Sequence, residues 1–329
     1  MITDRQERLL KLIIEEYMKT AIPVSSKSLA DTMDCSSATI RNEMSALEEV
    51  GLLEKTHISS GRIPSSRGYR YYVDNIMKPE ELTDEERAKI ETLFANNSLA
   101  LNDVVSKSIE IISEITNYTA VVLGNASLNN KVAKIEVIPI SPTKMVAIVI
   151  TDKGHVENRN VVLDEDVSKE EIKITVDLIN KLIVGVPIGE VSNVLEYEMK
   201  PIIDQYIKRH EVLYNAFYNA FSDFAHDTMV KMSGTKNILM YPEFDDTNKM
   251  RQILNKFEDD DIVRNICDDK RDSTIYIGEE SDFDEDVSII KTTYHKDGEE
   301  GTIAIIGPKR MNYGKASALL DYIKGNIDG

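Results

Sequence analysis

Apolar side chains recur at helical spacing in the first fifty residues. In residues 5–19 they fall on one face, opposite the charged positions, and the pattern stops before Pro23, which predicts an amphipathic helix. The serine pairs at 25–26 and 36–37 can cap a second, short helix and a third helix that ends at Gly51. The side chains expected to face inward are Leu9, Leu10, Ile13, Ile14 and Tyr17 in the first helix, and Ile40, Met44, Leu47 and Val50 in the third.

The chain after the third helix has the pattern of a wing. Residues 52–58 predict a short strand, residues 59–64 form a Ser/Gly/Pro turn, and residues 65–77 continue as a strand or a helix. Three helices followed by a strand and a basic turn are typical of a winged helix-turn-helix. In this motif the second and third helices form the helix-turn-helix pair, and the third enters the DNA major groove.

Beyond residue 78 the pattern changes to segments rich in Val and Ile. An acidic stretch with Pro79 indicates a linker, and a helix is predicted at 104–115. Predicted strands follow at 119–123, 132–138, 144–150, 273–277, 287–294 and 302–306, with a closing helix at 315–323. Helical patterns at 168–184 and 194–232 interrupt the strands, so we predict a subdomain inserted into a sheet domain.

These patterns predict a multidomain α+β chain. The expected parts are a winged helix-turn-helix at 1–78, an acidic linker or helix at 79–102, an α/β sheet domain made of 103–152 and 236–329, and a helical inserted domain at 153–235. Aromatic side chains, which are enriched at interfaces, are concentrated in the insert. The candidate dimer-interface residues are Tyr206, Leu213, Phe217, Phe221 and Phe224, and an ordinary packed helix core is the alternative.

The charge distribution separates the N-terminal part from the rest. The chain carries a formal charge of −18, which by itself disfavours nucleic acid. Residues 1–78, however, hold 11 basic and 11 acidic side chains, so the whole net charge belongs to the remaining residues. Residues 55–73 contain Lys and Arg without any acidic residue, and a basic stretch of this kind attracts a phosphate backbone. A solvated basic loop is the alternative.

Several functional classes find no support. The 2 cysteines form no Cys-x-x-Cys pair, and the 5 histidines have no metal-ligand spacing, so we expect no metal and no cofactor. Residues 307–315 lie between a strand and a helix, but their glycines are too far apart for a phosphate loop. We therefore expect that the protein is not an enzyme. No apolar run is long enough for a membrane span and the N-terminus is charged, so we expect a cytoplasmic protein.

The outward face of the third helix is predicted to read DNA. Arg41 and Asn42 are the candidate base readers, because Arg bonds a guanine edge and Asn an adenine edge in bidentate fashion. Hydroxyl groups on the same face suit phosphate contacts. The complete set of candidate DNA-binding residues is Lys27, Ser37, Thr39, Arg41, Asn42, Ser45, Lys55, His57, Arg62, Arg67 and Arg70.

Long segments of the chain resemble one known family. The segments are PVSS at 23–26, SSATIRNEMSALE at 36–48, HISSGRIPSSRGYRYYV at 57–73 and GTIAIIGPKRMNY at 301–313. Together they closely resemble the heat-inducible repressors called HrcA, from one end of the chain to the other. Family members commonly carry Thr or Asp where this chain has Lys309 and Asn312, so we assign these two positions no role.

The resemblance implies more than the patterns do. It implies that the sheet domain is GAF-like, that the insert dimerises, and that the protein negatively regulates transcription of chaperone operons in the heat-shock response. The implied partners are a palindromic double-stranded operator called CIRCE, a second copy of the chain, and the chaperonin GroEL, which keeps the repressor active. A winged-helix repressor gated by a small molecule in the GAF-like domain is the alternative, and thermal melting with candidate ligands would distinguish it.

Overall fold

In the computed structural model, the N-terminal part of the chain folds as three helices and a two-stranded sheet. The helices are α1 (Asp4–Thr20), α2 (Ala30–Met33) and α3 (Ser37–Glu49), and the strands are β1 (Leu53–Lys55) and β2 (Arg62–Pro64). The predicted winged helix is confirmed. The structure describes residues 2–55, 61–95, 101–124, 130–154, 156–163, 166–199, 218, 229–267, 273–296 and 299–329.

Side-chain caps determine where two of these helices begin. Thr3 caps α1 in a capping box, and the Ser36 hydroxyl accepts the backbone N–H of Thr39 at 3.1 Å at the start of α3. The serine cap predicted for α2 is wrong, because α2 begins without a side-chain cap. Ser25 instead accepts the backbone N–H of Ser28 at 3.2 Å and closes the turn before that helix.

The chain turns sharply after α3. Gly51 has a φ of +75°, the left-handed conformation that favours glycine, so the predicted helix end is correct. Val50 was expected in the core but is 45% exposed, because it lies past the last helical turn. After β2 the chain forms α4 (Ser66–Tyr71) and a π-helical turn (Tyr72–Ile76), so residues 65–77 take the helical alternative.

The remaining described residues form eight strands, seven helices and short helical turns. The strands are β3 (Thr119–Gly124), β4 (Val132–Ser141), β5 (Lys144–Thr151), β6 (Val156–Val162), β7 (Met229–Ser233), β8 (Ser273–Ile277), β9 (Val287–Lys296) and β10 (Glu299–Pro308). The helices are α5 (Asp84–Phe94), α6 (Leu101–Thr116), α7 (Lys169–Ile183), α8 (Ile188–Val194), α9 (Thr247–Glu258), α10 (Asp260–Cys267) and α11 (Tyr313–Asp328). The turns are π-helical at Leu195–Met199 and 3-10 at Thr235–Met240, Pro242–Phe244 and Gly278–Ser281.

One antiparallel sheet has the order β7-β3-β10-β9-β8, and helices cover both of its faces. Along β10, Ile303 and Ile305 belong to a core shared with α6 and α11, while Ala304 and Ile306 belong to a core shared with α9 and α10. Successive side chains of a strand point to opposite faces. Because both faces of β10 are buried, its sequence at 303–306 is a continuous apolar run rather than an alternating one.

The other sheet has the order β4-β5-β6 and packs on α7 and α8 around a separate core. Strands β4 and β5 were expected in the same sheet as β3, within 103–152. They pair with β6 instead, because short turns join the three strands and the backbone of Val132 bonds to Gly185 and Val186 beside α7. The sheets thus favour an insert that starts near residue 130 rather than 153.

The predicted helix at 194–232 needs one further correction. Residues 229–232 belong to β7, which pairs with β3 at the edge of the five-stranded sheet. Apolar and polar residues alternate over too few positions there for periodicity to separate a strand from a helix end. Among the described residues, no helix combines the length and apolar character needed to cross a bilayer.

Candidate nucleic-acid interface

Buried side chains on one side of α3 hold this helix against α1. Ile40, Met44 and Leu47 are at most 2% exposed and lie in the same core as Ile13 of α1. Burying each such side chain contributes roughly 1.5–3 kcal/mol. The opposite face of α3 therefore has a defined orientation towards solvent.

Arg41 and Asn42 lie on that outward face. Both are exposed, and neither is held by a hydrogen bond or an ion pair to any other described residue. A guanidinium group and a carboxamide can each make two parallel hydrogen bonds to a base edge. The two predicted base readers therefore share one solvent-facing helix surface.

The three hydroxyl residues predicted on this helix are half-buried. The Ser37 and Ser26 hydroxyl oxygens lie 2.9 Å apart, and so do those of Thr39 and Ser36. Ser45 lies further along the helix. A hydroxyl that bonds a neighbour keeps further donor or acceptor capacity. Ser37 and Thr39 thus retain the capacity to bind phosphate oxygens at the start of α3.

Exposed cations flank the helix. Lys27 lies before α2, Lys55 is the last residue of β1, and Arg67 is in the first turn of α4, and all three are exposed. Their long side chains suit contacts to a phosphate backbone. The predicted wing residue His57 lies outside the described residues.

Arg62 occupies a different environment from the one expected of a wing cation. It is 9% exposed, and its guanidinium bonds the Glu48 carboxylate at 2.7 Å. Its backbone also bonds Val24 in both directions at 2.9 Å. The sequence cannot distinguish this arginine from an exposed one, because a Ser/Gly/Pro turn gives no indication of a partner in another element. Its position is that of a structural ion pair at the base of the wing.

Comparison with known proteins identifies the family. A family model described as "Winged helix-turn-helix transcription repressor, HrcA DNA-binding" matches residues 1–75, and one described as "HrcA protein C terminal domain" matches residues 102–316. The chain belongs to the HrcA family. HrcA proteins are heat-inducible transcription repressors, so this chain is a DNA-binding repressor and not an enzyme, as the sequence predicted.

Similar HrcA proteins cover nearly the whole chain. The heat-inducible transcription repressor HrcA of Bacillus pumilus (strain SAFR-032) is 37% identical and spans 99% of this chain and 97% of the relative. That of Brevibacillus brevis (strain 47 / JCM 6285 / NBRC 100599) is 36% identical and spans 98% of this chain and 96% of the relative. A crystal structure described only as a hypothetical protein covers 100% of this chain and 98% of its own at 23% identity, with a TM-score of 0.69, which supports the fold alone.

Arg70 also departs from the expected phosphate contact in this HrcA chain. Its guanidinium forms an ion pair with Glu280 and donates to the backbone carbonyl of Ile275 at 2.6 Å. The hydrogen bond to Glu280 raises the pKa of Arg70 above its usual value. Its partners belong to the sheet domain, so this arginine joins two parts of the molecule.

The structure leaves the predicted dimer interface undescribed. Tyr206, Leu213, Phe217, Phe221 and Phe224 all lie outside the described residues. Their role in an HrcA dimer stays a prediction.

Sequence reasoning missed Arg310. Its side chain is 11% exposed, bonds Glu243, and donates to the backbone carbonyl of Met18 in α1 at 2.9 Å. Arg310 lies within the HrcA-like segment at 301–313, but nothing in the local pattern indicates a partner nearly three hundred residues earlier in the chain. Only the tertiary structure brings these groups together.

Proposed function

We propose that the chain represses chaperone operons by binding an inverted-repeat operator, the CIRCE element, as a twofold-symmetric dimer. The observation that carries the proposal is the outward face of α3, where Arg41 and Asn42 are exposed on a helix whose other face is locked into the core. A dimer with one such helix in each protomer requires a palindromic site.

The charge distribution supports operator-specific binding. A strongly acidic remainder repels DNA at a distance, whereas the neutral winged helix presents Lys27, Lys55 and Arg67 beside α3. Non-specific affinity, which depends on phosphate contacts alone, is therefore expected to be weak. Base contacts by α3 must supply most of the discrimination between operator and bulk DNA.

The proposal includes three further assignments that rest on membership of the HrcA family. The five-stranded sheet domain is taken to be GAF-like, and the unit that contains the β4-β5-β6 sheet is taken to be the dimerising insert. The chaperonin GroEL is taken to keep the repressor active. When misfolded clients occupy the chaperonin, the repressor loses activity and releases the operator. The resemblance of the long segments at 36–48 and 57–73 supports this assignment.

Fluorescence anisotropy with the purified full chain tests the proposal. The probes are the inverted-repeat operator and a scrambled duplex of equal length, each titrated with and without GroEL. We expect tighter binding to the operator by at least about 10³-fold, the lower end for specific DNA-binding proteins, and a further gain with chaperonin. Equal affinity for both duplexes would overturn the operator assignment. An unchanged operator affinity with GroEL would overturn the chaperonin role alone.

A further inference from the structure

The winged helix shares an apolar core with one face of the sheet domain, and a small set of polar contacts also joins the two. We call this set the interdomain clasp: the Met18 carbonyl and Arg70 on the winged-helix side, and Glu243, Glu280 and Arg310 on the sheet side. All five residues lie in the described part of the chain, and the contacts that cross between the two sides join positions more than 200 residues apart.

Arg310 is the centre of one half of the clasp. Its guanidinium bonds both carboxylate oxygens of Glu243, lies 5.2 Å from the centroid of the Tyr241 ring, and donates to the Met18 carbonyl at 2.9 Å. Met18 lies in the last turn of α1, where backbone carbonyls have no partner within the helix and carry the negative end of the helix dipole. A planar cation with several donors can satisfy all of these groups at once, and a lysine cannot.

Arg70 and Glu280 form the other half. Arg70 follows Tyr69 in α4, and it bonds Glu280 and the carbonyl of Ile275, the latter at 2.6 Å. Between the two halves, the rings of Tyr69 and Tyr313 pack with centroids 5.9 Å apart, and both side chains are at most 1% exposed. The two polar contacts thus flank a dry aromatic contact, which resists rotation of one domain against the other.

Packed contacts connect the interdomain clasp to α3, the helix that we propose reads the DNA bases and call the reading helix. α1 packs against α3 in the common core, and Arg5 of α1 forms an ion pair with Glu43 of α3. At the other end of α3, the Ser65 hydroxyl donates to the Gly51 carbonyl at 2.7 Å and also caps α4. A Cβ atom on Gly68 would lie 2.1 Å from the Leu52 carbonyl oxygen, so α4 is seated closely on this segment. The orientation of α3 therefore follows that of the sheet domain.

We infer that the interdomain clasp sets the distance and the rotation between the two reading helices of a dimer, and so determines which half-site spacing the protein accepts. Arg70, Glu280 and Arg310 are thereby specificity-determining positioning residues that need not touch DNA. The inference rests on the proposed function, since it requires a twofold dimer on an inverted repeat. It assigns spacing to the clasp and base preference to α3.

The geometry of DNA makes spacing a sensitive readout. Inserting one base pair between half-sites moves one of them by about 3.4 Å along the axis and rotates it by roughly 35°. A rigid pair of readers must twist or bend the DNA to follow, which weakens binding by roughly tenfold or more. Readers on a flexible attachment tolerate the insertion, because the domain can rotate with its half-site.

The test compares Glu280→Gln and Arg310→Lys with the wild type, all as the full chain. Glu280→Gln removes the ion pair on an exposed side of the clasp while leaving Arg70 in place, and Arg310→Lys keeps the charge but loses the planar donor set. The matched control is Lys89→Gln, which removes an ion pair of 2.8 Å to Glu114 between α5 and α6, away from the clasp. Circular dichroism confirms that each variant is folded.

The measured quantity is the ratio of dissociation constants on duplexes with one inserted base pair and on the native inverted repeat. We expect a ratio of roughly tenfold or more for the wild type and for Lys89→Gln. For either clasp variant we expect the ratio to fall to about threefold or less, with unchanged preference within a half-site. The fall in the ratio separates this role from a change in overall affinity, including one caused by release of Arg70 towards DNA.

Other results would contradict specific claims. Folded clasp variants with the wild-type ratio would overturn the inference and leave the proposed function intact. A wild type that binds no inverted repeat in preference to scrambled DNA would overturn the proposed function itself. A wild-type ratio near one, with normal operator binding, would show that spacing is not set by a rigid attachment and would also overturn the inference.

Discussion

At the scale of single residues, arginines that look equivalent in the sequence occupy different environments. Arg41 and Arg67 are exposed, whereas Arg62 is paired with Glu48 and Arg70 with Glu280. All four were predicted to contact DNA, because a basic side chain in a polar segment gives no indication of a partner distant in the chain. The proposal for base and phosphate contacts therefore rests on the exposed members.

Arg41→Ala is expected to relax base preference at one base pair in each half-site. Loss of a bidentate contact removes about 1–3 kcal/mol of discrimination at that position. Anisotropy measurements on operators with single base-pair changes provide the test. Arg67→Ala is the matched control, and we expect it to reduce the slope of log K against log[salt] by about 0.9 without a change in preference. Equal losses on every duplex for Arg41→Ala would reassign Arg41 to the phosphate backbone.

Arg62→Ala is expected to reduce stability rather than DNA affinity. The substitution leaves the partly exposed Glu48 carboxylate without its cation and opens space in the wing, at a cost of about 1–3 kcal/mol in the free energy of unfolding. Urea denaturation gives this value, and the exposed Lys55→Ala serves as a control with a change within about 0.5 kcal/mol. An unchanged stability together with a flatter salt slope would return Arg62 to the DNA contacts.

At the scale of elements, helix ends and strands were predicted better than their partners. Serine caps and Gly51 mark the ends of α3, and Val/Ile-rich runs mark β3, β4 and β5, because these signals are local. The pairing of β4 and β5 with β6 was not predicted, since an alternating strand fits any sheet that buries one of its faces. The ion pair between Arg62 and Glu48 was also missed, because a local pattern does not show which other element a side chain contacts.

The cap of α5 predicts a pH dependence. Burial alone would raise the pKa of Glu86, but its hydrogen bonds from Lys315 and from the Thr83 backbone outweigh burial and lower it. A depressed folded-state pKa contributes stability that is present above the unfolded value of about 4.3 and is lost as the pH falls through the folded value. Glu86 therefore stabilises the contact between α5 and α11 at neutral pH.

Glu86→Gln is expected to lower the free energy of unfolding by about 1 kcal/mol at pH 7, because a charge-assisted bond to Lys315 becomes a neutral one. The difference from the wild type should shrink below about pH 4. Urea denaturation across this pH range measures it, with the exposed Glu85→Gln as the control. A difference independent of pH would mean that the charge of Glu86 does not contribute.

At the scale of the whole molecule, the described residues form three cores: a joint core on one face of the five-stranded sheet, a second core on the other face of that sheet, and a separate core around the three-stranded sheet. The joint core contains Leu9 of the winged helix and Leu320 of α11, so the winged helix and one face of the five-stranded sheet are buried together. The core around Ile179 holds β4, β5 and β6 on α7 and is made of different residues. We therefore expect two parts of the molecule to unfold independently: the winged helix with the five-stranded sheet, and the β4-β5-β6 sheet with α7.

Ile179→Ala is expected to weaken only the unit around the β4-β5-β6 sheet. Truncating a fully buried isoleucine costs about 2–5 kcal/mol, and amide hydrogen exchange should place the loss of protection within residues 130–199. Leu320→Ala, a change of the same kind in the joint core, should reduce protection in both α3 and β10. Loss of protection throughout the chain in Ile179→Ala would show that the two parts unfold as one.

The sequence by itself determined the winged helix, the exposed outward face of α3 and membership of the HrcA family, because each rests on residues close together in the chain. Helical spacing, caps and long motifs carry that information locally. Only the tertiary structure decided that Arg70 and Arg310 join the winged helix to the sheet domain, and that β4 and β5 belong to the second sheet. Contacts between positions hundreds of residues apart depend on packing and burial, and a pattern along the chain does not record which distant group a side chain meets.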